Sequence, residues 1–309
     1  MDDFPVEVHT VAACLRGGDG GSPTAVVAAG RDLGDADLAG IPARAGTSHV
    51  AVITPDAGAR GERAVRFFTA TGELPGCGHG TVAAIGLLTL QAPGAVFEGL
   101  LRVAGRDVEA TGRLVDGDRA GGAVADGVRA AGSAEQGVVE AWFDQGLVGH
   151  RAAASAERDA FLAALGLDTE ALHPGDDVSV ASPGRERLLI PVTDRAVLAG
   201  LRPDAAALAA ASRRFGQLGC FVYVPPTRTE PTAAARMFAP AIGVPEDVAN
   251  ANSTGCLAAH LLLSGQNPEV AVDQGDALGR PSTVHATAAR TPRGIATRVG
   301  GTARLLAAS

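Results

Sequence analysis

Two stretches of this chain can be housed only as helices inside a core, and each is entered through a small polar loop. The run Thr81-Val82-Ala83-Ala84-Ile85-Gly86-Leu87-Leu88 is apolar on every face, and a helix without a polar face has to be buried. Directly before it stands Glu73-Leu74-Pro75-Gly76-Cys77-Gly78-His79-Gly80. Pro75 disfavours helical angles at the residue before it, and the three glycines open backbone angles closed to other residues. The pattern then recurs. Glu246-Asp247-Val248-Ala249-Asn250-Ala251-Asn252-Ser253-Thr254-Gly255 leads into the nearly all-apolar Cys256-Leu257-Ala258-Ala259-His260-Leu261-Leu262-Leu263. Upstream, Arg66-Phe67-Phe68-Thr69 and Arg236-Met237-Phe238-Ala239-Pro240 give both halves the same prelude, an arginine and large apolar residues ahead of the acidic residue. Strand, loop and buried helix repeated in this order indicate an internal duplication.

The helices are expected to begin near Thr81 and near Gly255. A glycine-rich loop opening a buried helix offers free N–H groups and the positive helix end to an anion such as a substrate carboxylate. Gly78, Gly80, Asn250, Ala251 and Asn252 are the expected binding groups. Cys77 and His79, on the first loop, are of types that titrate near neutral pH in a suitable environment.

A chain of 309 residues is long for one core, which points to two domains. A hydrophobic content of 46% against 19% charged is that of a globular, soluble protein. The net charge of −8, with no Lys/Arg cluster, argues against nucleic acid as a partner. Cys14, Cys77, Cys220 and Cys256 lie far apart with no C-x-x-C pair, so no zinc site is legible from them. Without a ligand cluster, phosphate loop or dinucleotide fingerprint, no metal and no organic cofactor is expected. No signal peptide and no membrane span is visible, so a cytoplasmic location with reduced thiols is expected. The richness in Ala, Gly and Arg suits a GC-rich genome such as that of an actinobacterium. Pairing into a homodimer stays open.

Along the chain, alternation predicts strands over Val6–Val11, Thr24–Ala29, Ser48–Thr54 and Ala64–Phe68, with a short helix over Leu33–Ala43 ended by Pro42. On the third strand Ser48 and His49 should face opposite ways, so only one can point into a site. Asp116–Gly137 has little hydrophobic patterning and is read as the domain boundary. The N-terminal lobe is residues 1–130, completed by the last strand at about 295–309, and the C-terminal lobe is 131–294. The second half opens with a strand over Gly137–Phe143. Helices follow over Ala156–Leu167, after Asp194, and over Ala205–Phe215 with Asp204 as cap. A hairpin of Thr283–Ala288 with Gly294–Val299 precedes a separate last strand, Ala303–Leu306. The fold class is α+β: two similar lobes, each a curved, mostly antiparallel sheet or barrel around one central buried helix.

At these residues the chain resembles the phenazine-biosynthesis isomerase family, which shares the fold of diaminopimelate epimerase. Glu73-Leu74-Pro75-Gly76-Cys77-Gly78-His79 matches the family's E-[LV]-P-x-[CA]-G-H. Arg236 to Asp247 matches R-x-F-x-P-x-x-G-x-x-E-D, and Leu257-Ala258-Ala259-His260-Leu261 matches the helix that follows. Gln274-Gly275, Gly279-Arg280-Pro281-Ser282 and Gly21-Ser22-Pro23-Thr24-Ala25-Val26 extend the likeness over the whole length. The resemblance implies a cofactor-independent isomerase of a small carboxylate that shifts a proton along a conjugated system. It also points to actinobacterial secondary metabolism, with a 4-alkyl-proline-type pathway among the options.

The departures from the family pattern fall on the site. Val248, Asn250, Ala251 and Asn252 replace residues of its usual E-D-P-A-T-G-S-A. Ser48 stands where the family carries its general acid/base glutamate. Cys77 matches the first cysteine of the superfamily's racemases but Asn250 stands at the second, which disfavours a two-thiol mechanism. His79 is then the expected acid/base, with Asp247 as its partner across a cleft between the lobes. Ser48, His49 and Cys77 are further candidates, although His49 and Cys77 also read as packing residues. Asn250 and Asn252 suit hydrogen bonding rather than proton transfer. His9, His150, His173, His260 and His285 receive no role. The competing functions are a dehydratase or lyase on the same fold, and a catalytically lapsed pseudoenzyme that binds a small ligand.

Overall fold

The computed structural model describes residues 6–28, 33–55, 62–115 and 137–306. The boundary expected at 130/131 lies outside them. The chain divides into two compact units, Met1–Asp144 with Gly300–Ser309, and Gln145–Val299.

The first unit holds β1 (Val8–Ala13), β2 (Ser22–Ala28), α1 (Asp35–Ala45), β3 (Val50–Pro55), β4 (Arg63–Thr69), β5 (Gly72–Leu74), α2 (Gly78–Gln91), β6 (Val96–Val103) and β7 (Arg106–Val115). Strand β8 (Val138–Ala152) begins in it and runs on into the second unit. There follow α3 (Ser155–Leu165), β9 (Ser179–Ser182), β10 (Arg187–Pro191), α4 (Arg195–Gly200), α5 (Ala205–Phe215), β11 (Cys220–Val224), β12 (Thr232–Ala239) and β13 (Val244–Asp247). The chain closes with α6 (Ala251–Leu263), β14 (Val270–Gln274), β15 (Ser282–Thr291) and β16 (Gly294–Leu305), whose last residues belong to the first unit.

The duplication read from the sequence is visible strand for strand. In the first unit, β1/β2, β3/β4 and β6/β7 are antiparallel, β2/β3 and β4/β6 are parallel, and β5 hangs off β4. In the second unit, β9/β10, β11/β12 and β14/β15 are antiparallel, β10/β11 and β12/β14 are parallel, and β13 hangs off β12. The central helix comes after the short strand in both, α2 after β5 and α6 after β13. Side-chain chemistry repeats too. Arg66 clasps Glu73 through two bonds of 2.8 and 2.7 Å and lies 4.8 Å from the Phe68 ring centre. Arg236 clasps Glu246 through two bonds of 2.8 Å and lies 4.9 Å from that of Phe238.

Helix α2 is buried from Gly78 through Leu87 and packs on β1, β2, β3, β4, β6 and β7. Close approach needs glycine. A Cβ at Gly86 would lie 2.9 Å from that of Ala303, and one at Gly112 would overlap Thr89 and Ile85. The other sheet face is covered by α1, whose Leu38 and Ile41 meet Ala25, Val27, Val50, Val52 and Phe68. Sheets covered on both faces make their strands continuously apolar, as in β3 and β10. In the second unit α6 packs on β9, β10, β14 and β15. Phe161, Leu162 and Leu165 of α3 and Leu208 of α5 form a separate layer with Val180, Leu188, Ile190 and Val222. Asp194 and Asp204 cap α4 and α5, each accepting two backbone N–H bonds of 2.8–3.0 Å. Among the described residues no helix is long and apolar enough to cross a membrane.

Four expectations about elements are corrected. The central helices begin at Gly78 and Ala251, not near Thr81 and Gly255. The first-turn N–H groups of a helix need no carbonyl four residues back, so small polar residues can occupy that turn ahead of the apolar run. Helix α1 spans Asp35–Ala45 and keeps Pro42 inside; its stop is Gly46, in left-handed conformation at φ 64°. Strand β16 is continuous where a hairpin strand and a separate last strand were expected, because Gly300 is not a break. A Cβ there would overlap the Trp142 ring and approach the Ala141 carbonyl oxygen at 2.6 Å. Strand β8 likewise runs past Phe143 through Gly146 to Ala152.

A buried carboxylate makes the second unit sensitive to acid. Glu157 of α3 accepts two bonds of 2.8 Å from Arg151, one of 2.9 Å from the Ala154 N–H and one of 3.1 Å from Gln217. The Arg151 bonds, outweighing burial, lower its pKa from 4.5 to about 2. A depressed folded-state pKa gives stability that is complete above the unfolded value and is lost as pH falls through the folded one. Wild type should therefore lose stability between about pH 4.5 and about 2. Glu157→Gln should be less stable near neutrality and show a flatter acid limb, read from urea midpoints across that range.

Candidate active site

In the first unit the site is built on the start of α2. Cys77 is its N-cap, extended at φ −143°, and Gly78, His79 and Gly80 form the first turn. His79 is thus a helical residue and not a loop residue. The Thr81 N–H and hydroxyl both donate to the Cys77 carbonyl, at 2.9 and 2.8 Å, and lock the turn. Gly80 makes room for the sulfur: a Cβ there would stand 3.0 Å from Cys77 Sγ and 2.9 Å from Phe67. Sγ lies 3.4 Å from His79 Nε2.

His49 is brought to this turn by the sheet. Its carbonyl accepts the Ala25 N–H at 3.0 Å, and the next residue, Val50, pairs with Phe68 on β4. The His49 ring meets the His79 ring edge-on, with centroids 4.5 Å apart and planes at 84°. Ser48 Oγ lies 2.8 Å from His49 Nδ1. His49, Cys77 and His79 are 4%, 7% and 2% exposed, so this polar group sits inside the core. Both residues precede β3, which begins at Val50, and of the two His49 is buried while Ser48 is exposed. Ser48, His49, His79 and Cys77 form one chain of contacts.

In the second unit Asp247 ends β13, and its carboxylate accepts the Asn250 side-chain N–H at 2.9 Å. Asn250 is also the N-cap of α6, accepting the Ser253 N–H at 2.8 Å. Asn252 takes two bonds from Gln145 Nε2, 2.9 Å on its carbonyl and 3.2 Å on its side-chain oxygen. The Asn250 N–H donates to Gln274 Oε1 at 2.8 Å, and Gln274 Nε2 donates to Thr254 at 3.1 Å. Both asparagines therefore shape the α6 start as well as lining it. Gly78 and Gly80 on α2, and Ala251 and Asn252 on α6, occupy the first turns where N–H groups gather. The sequence reading missed Gln145, because it ended that strand at Phe143.

His150 and His260, left without a role above, join a second buried network. Asp176 accepts the Tyr223 hydroxyl at 2.6 Å and lies 2.7 Å from His260 Nε2. His260 Nδ1 lies 2.9 Å from His150 Nε2 and 3.3 Å from Ser179 Oγ. Burial pushes the Asp176 carboxyl up, but its bonds to His260 and Tyr223 outweigh this and hold it below its ordinary value. Burial, then His260, lowers His150; burial and Asp176 raise Tyr223. The network ties β8, β9, β11 and α6 together.

Two duplicated units, each a mixed sheet around a buried helix that opens on polar residues, define an α+β protein of the diaminopimelate epimerase-like class. Within that class the chain belongs to the family described as phenazine biosynthesis-like protein, whose model matches residues 17–308. It is 34% identical over 249 residues to an uncharacterized isomerase of Deinococcus radiodurans, covering 77% of this chain and 73% of that one. A predicted epimerase of Pseudomonas aeruginosa superposes with a TM-score of 0.76 over 98% of this chain and 97% of its own, at 24% identity. A phenazine biosynthesis protein of the PhzF family from Bacillus anthracis gives the same TM-score over 97% of both chains at 18% identity.

Proposed function

We propose that this protein is an isomerase that moves a proton on a small carboxylate, with His79 as the proton carrier. The observation that carries the reading is the buried imidazole of His79 in the first turn of α2, touched by Cys77 and His49. The helix start offers N–H groups to a carboxylate, and imidazole is the side chain best matched to proton transfer near neutrality. The family's glutamate is replaced here by Ser48, whose hydroxyl orients His49. His49 then supplies a second imidazole beside His79, in place of the missing carboxylate. Asp247, held by Asn250, is a further candidate for proton handling and is tested on its own by Asp247→Asn. The names of the curated relatives support the isomerase class. Conjugated acids from actinobacterial secondary metabolism, those of a 4-alkyl-proline-type pathway among them, are the substrates to try first.

The test is incubation with small unsaturated carboxylates in D2O, followed by NMR and mass spectrometry. Substrate-dependent incorporation of deuterium with conserved composition is the expected result. Loss of water would move the protein to the dehydratase or lyase class. Neither turnover nor exchange with any acid, despite measurable binding, would make it a pseudoenzyme.

A further inference from the structure

We infer that His49, Cys77 and His79 form a three-ligand site for Zn2+. The inference goes beyond the isomerase reading and does not depend on it. One ligand atom from each of the three residues lies within 4.8 Å of the others. Zinc bonds of about 2.3 Å to sulfur and about 2.0 Å to nitrogen, at tetrahedral angles, set sulfur and nitrogen about 3.5 Å apart. Cys77 Sγ and His79 Nε2 stand at 3.4 Å. Imidazole and thiolate are zinc's preferred donors, and three protein ligands with an open fourth position is the pattern of exchangeable sites.

Two neighbours complete the arrangement. The Ser48 hydroxyl on His49 Nδ1 is the kind of outer contact that fixes the ring of a ligating histidine. Gly80 leaves the space that Sγ occupies, and Cys77 holds the N-cap position of α2. Zinc and one thiolate leave a net positive charge beside the first-turn N–H groups of α2. The complement to both is an anionic fourth ligand, hydroxide or a small carboxylate. An ion bound here takes the lone pairs that proton transfer by His79 would use, so occupancy silences that chemistry.

The scattered cysteines gave no zinc reading because the third ligand comes from a separate strand entry.

The test titrates chelator-treated protein with Co2+ as a spectroscopic probe, and then with Zn2+ in competition. One equivalent of cobalt should bind with a thiolate-to-cobalt charge-transfer band, displaced by zinc. Cys77→Ser should abolish the band. His49→Gln should weaken binding strongly, and Ser48→Ala should weaken it about 10–100-fold. Cys256→Ser, at a buried thiol elsewhere, should leave both band and affinity intact. Thermal unfolding of each variant separates lost ligation from lost fold. Cobalt binding without the sulfur band, or equal affinity in wild type, Ser48→Ala and Cys77→Ser, would overturn the assignment, as would no stoichiometric binding. No substrate enters this experiment, so its outcome is independent of the proton-exchange test.

Discussion

Replacing His79 by alanine in metal-free protein is expected to lower turnover about 10²–10⁴-fold, the usual worth of a positioned acid/base. The imidazole is 2% exposed, so water cannot readily stand in for it. Binding should suffer much less than rate, because the N–H groups of the α2 first turn remain in the alanine variant. The loss should therefore fall mainly on kcat, with KM changed little. Solvent-deuterium exchange should fall in parallel with turnover, since both need the same proton step. Ser48→Ala should have a smaller effect, because that hydroxyl acts by orienting His49. His79→Gln, closer in size, controls for the cavity left by alanine. Full activity in both His79 variants would pass the role to Cys77 or His49.

The second large effect is on stability and sets the two arginine–glutamate clasps against each other. Arg236 and Glu246 are 10% and 14% exposed, whereas Arg66 and Glu73 are 40% and 43% exposed. Arg236 also donates to the carbonyls of Leu198 and Leu201 at 3.0 and 3.1 Å. Arg236→Ala leaves a largely covered carboxylate and two buried carbonyls without these donors, at an expected cost of about 3 kcal/mol. Arg66→Ala removes a clasp that water already reaches, at a cost of about 1 kcal/mol or less. Urea unfolding of both variants measures the contrast. Equal losses would mean that the clasps stabilise through the duplicated backbone geometry rather than through burial.

Much of the architecture was legible because some residues have only one place to go. An apolar run such as Thr81–Leu88 has no face for water, so it could only be a core helix, and its recurrence at Cys256–Leu263 announced the duplication. Arg66 and Arg236, with the acidic residues that follow them, carried the same message in charge, and the structure joins both pairs. Helix starts were harder to read, since Gly78, Ala251 and their neighbours have no apolar signature. Glycine misled at position 300, where it permits contact with Trp142 instead of breaking a strand.

The composition of the candidate site was decided by tertiary structure. His49 reaches Cys77 and His79 only because β3 lies beside β4 in the register Val50 to Phe68. The chain turns after β4 so that α2 starts under the entrance to β3. Nothing in the residues around His49 encodes that register, which follows from how two sheet faces are filled at once. His150, His260 and Asp176 were equally silent in sequence, since β8, α6 and the loop before β9, far apart in the chain, supply them. Local patterns determine which segments must be buried. Which polar side chains then meet inside depends on strand pairing across the whole unit.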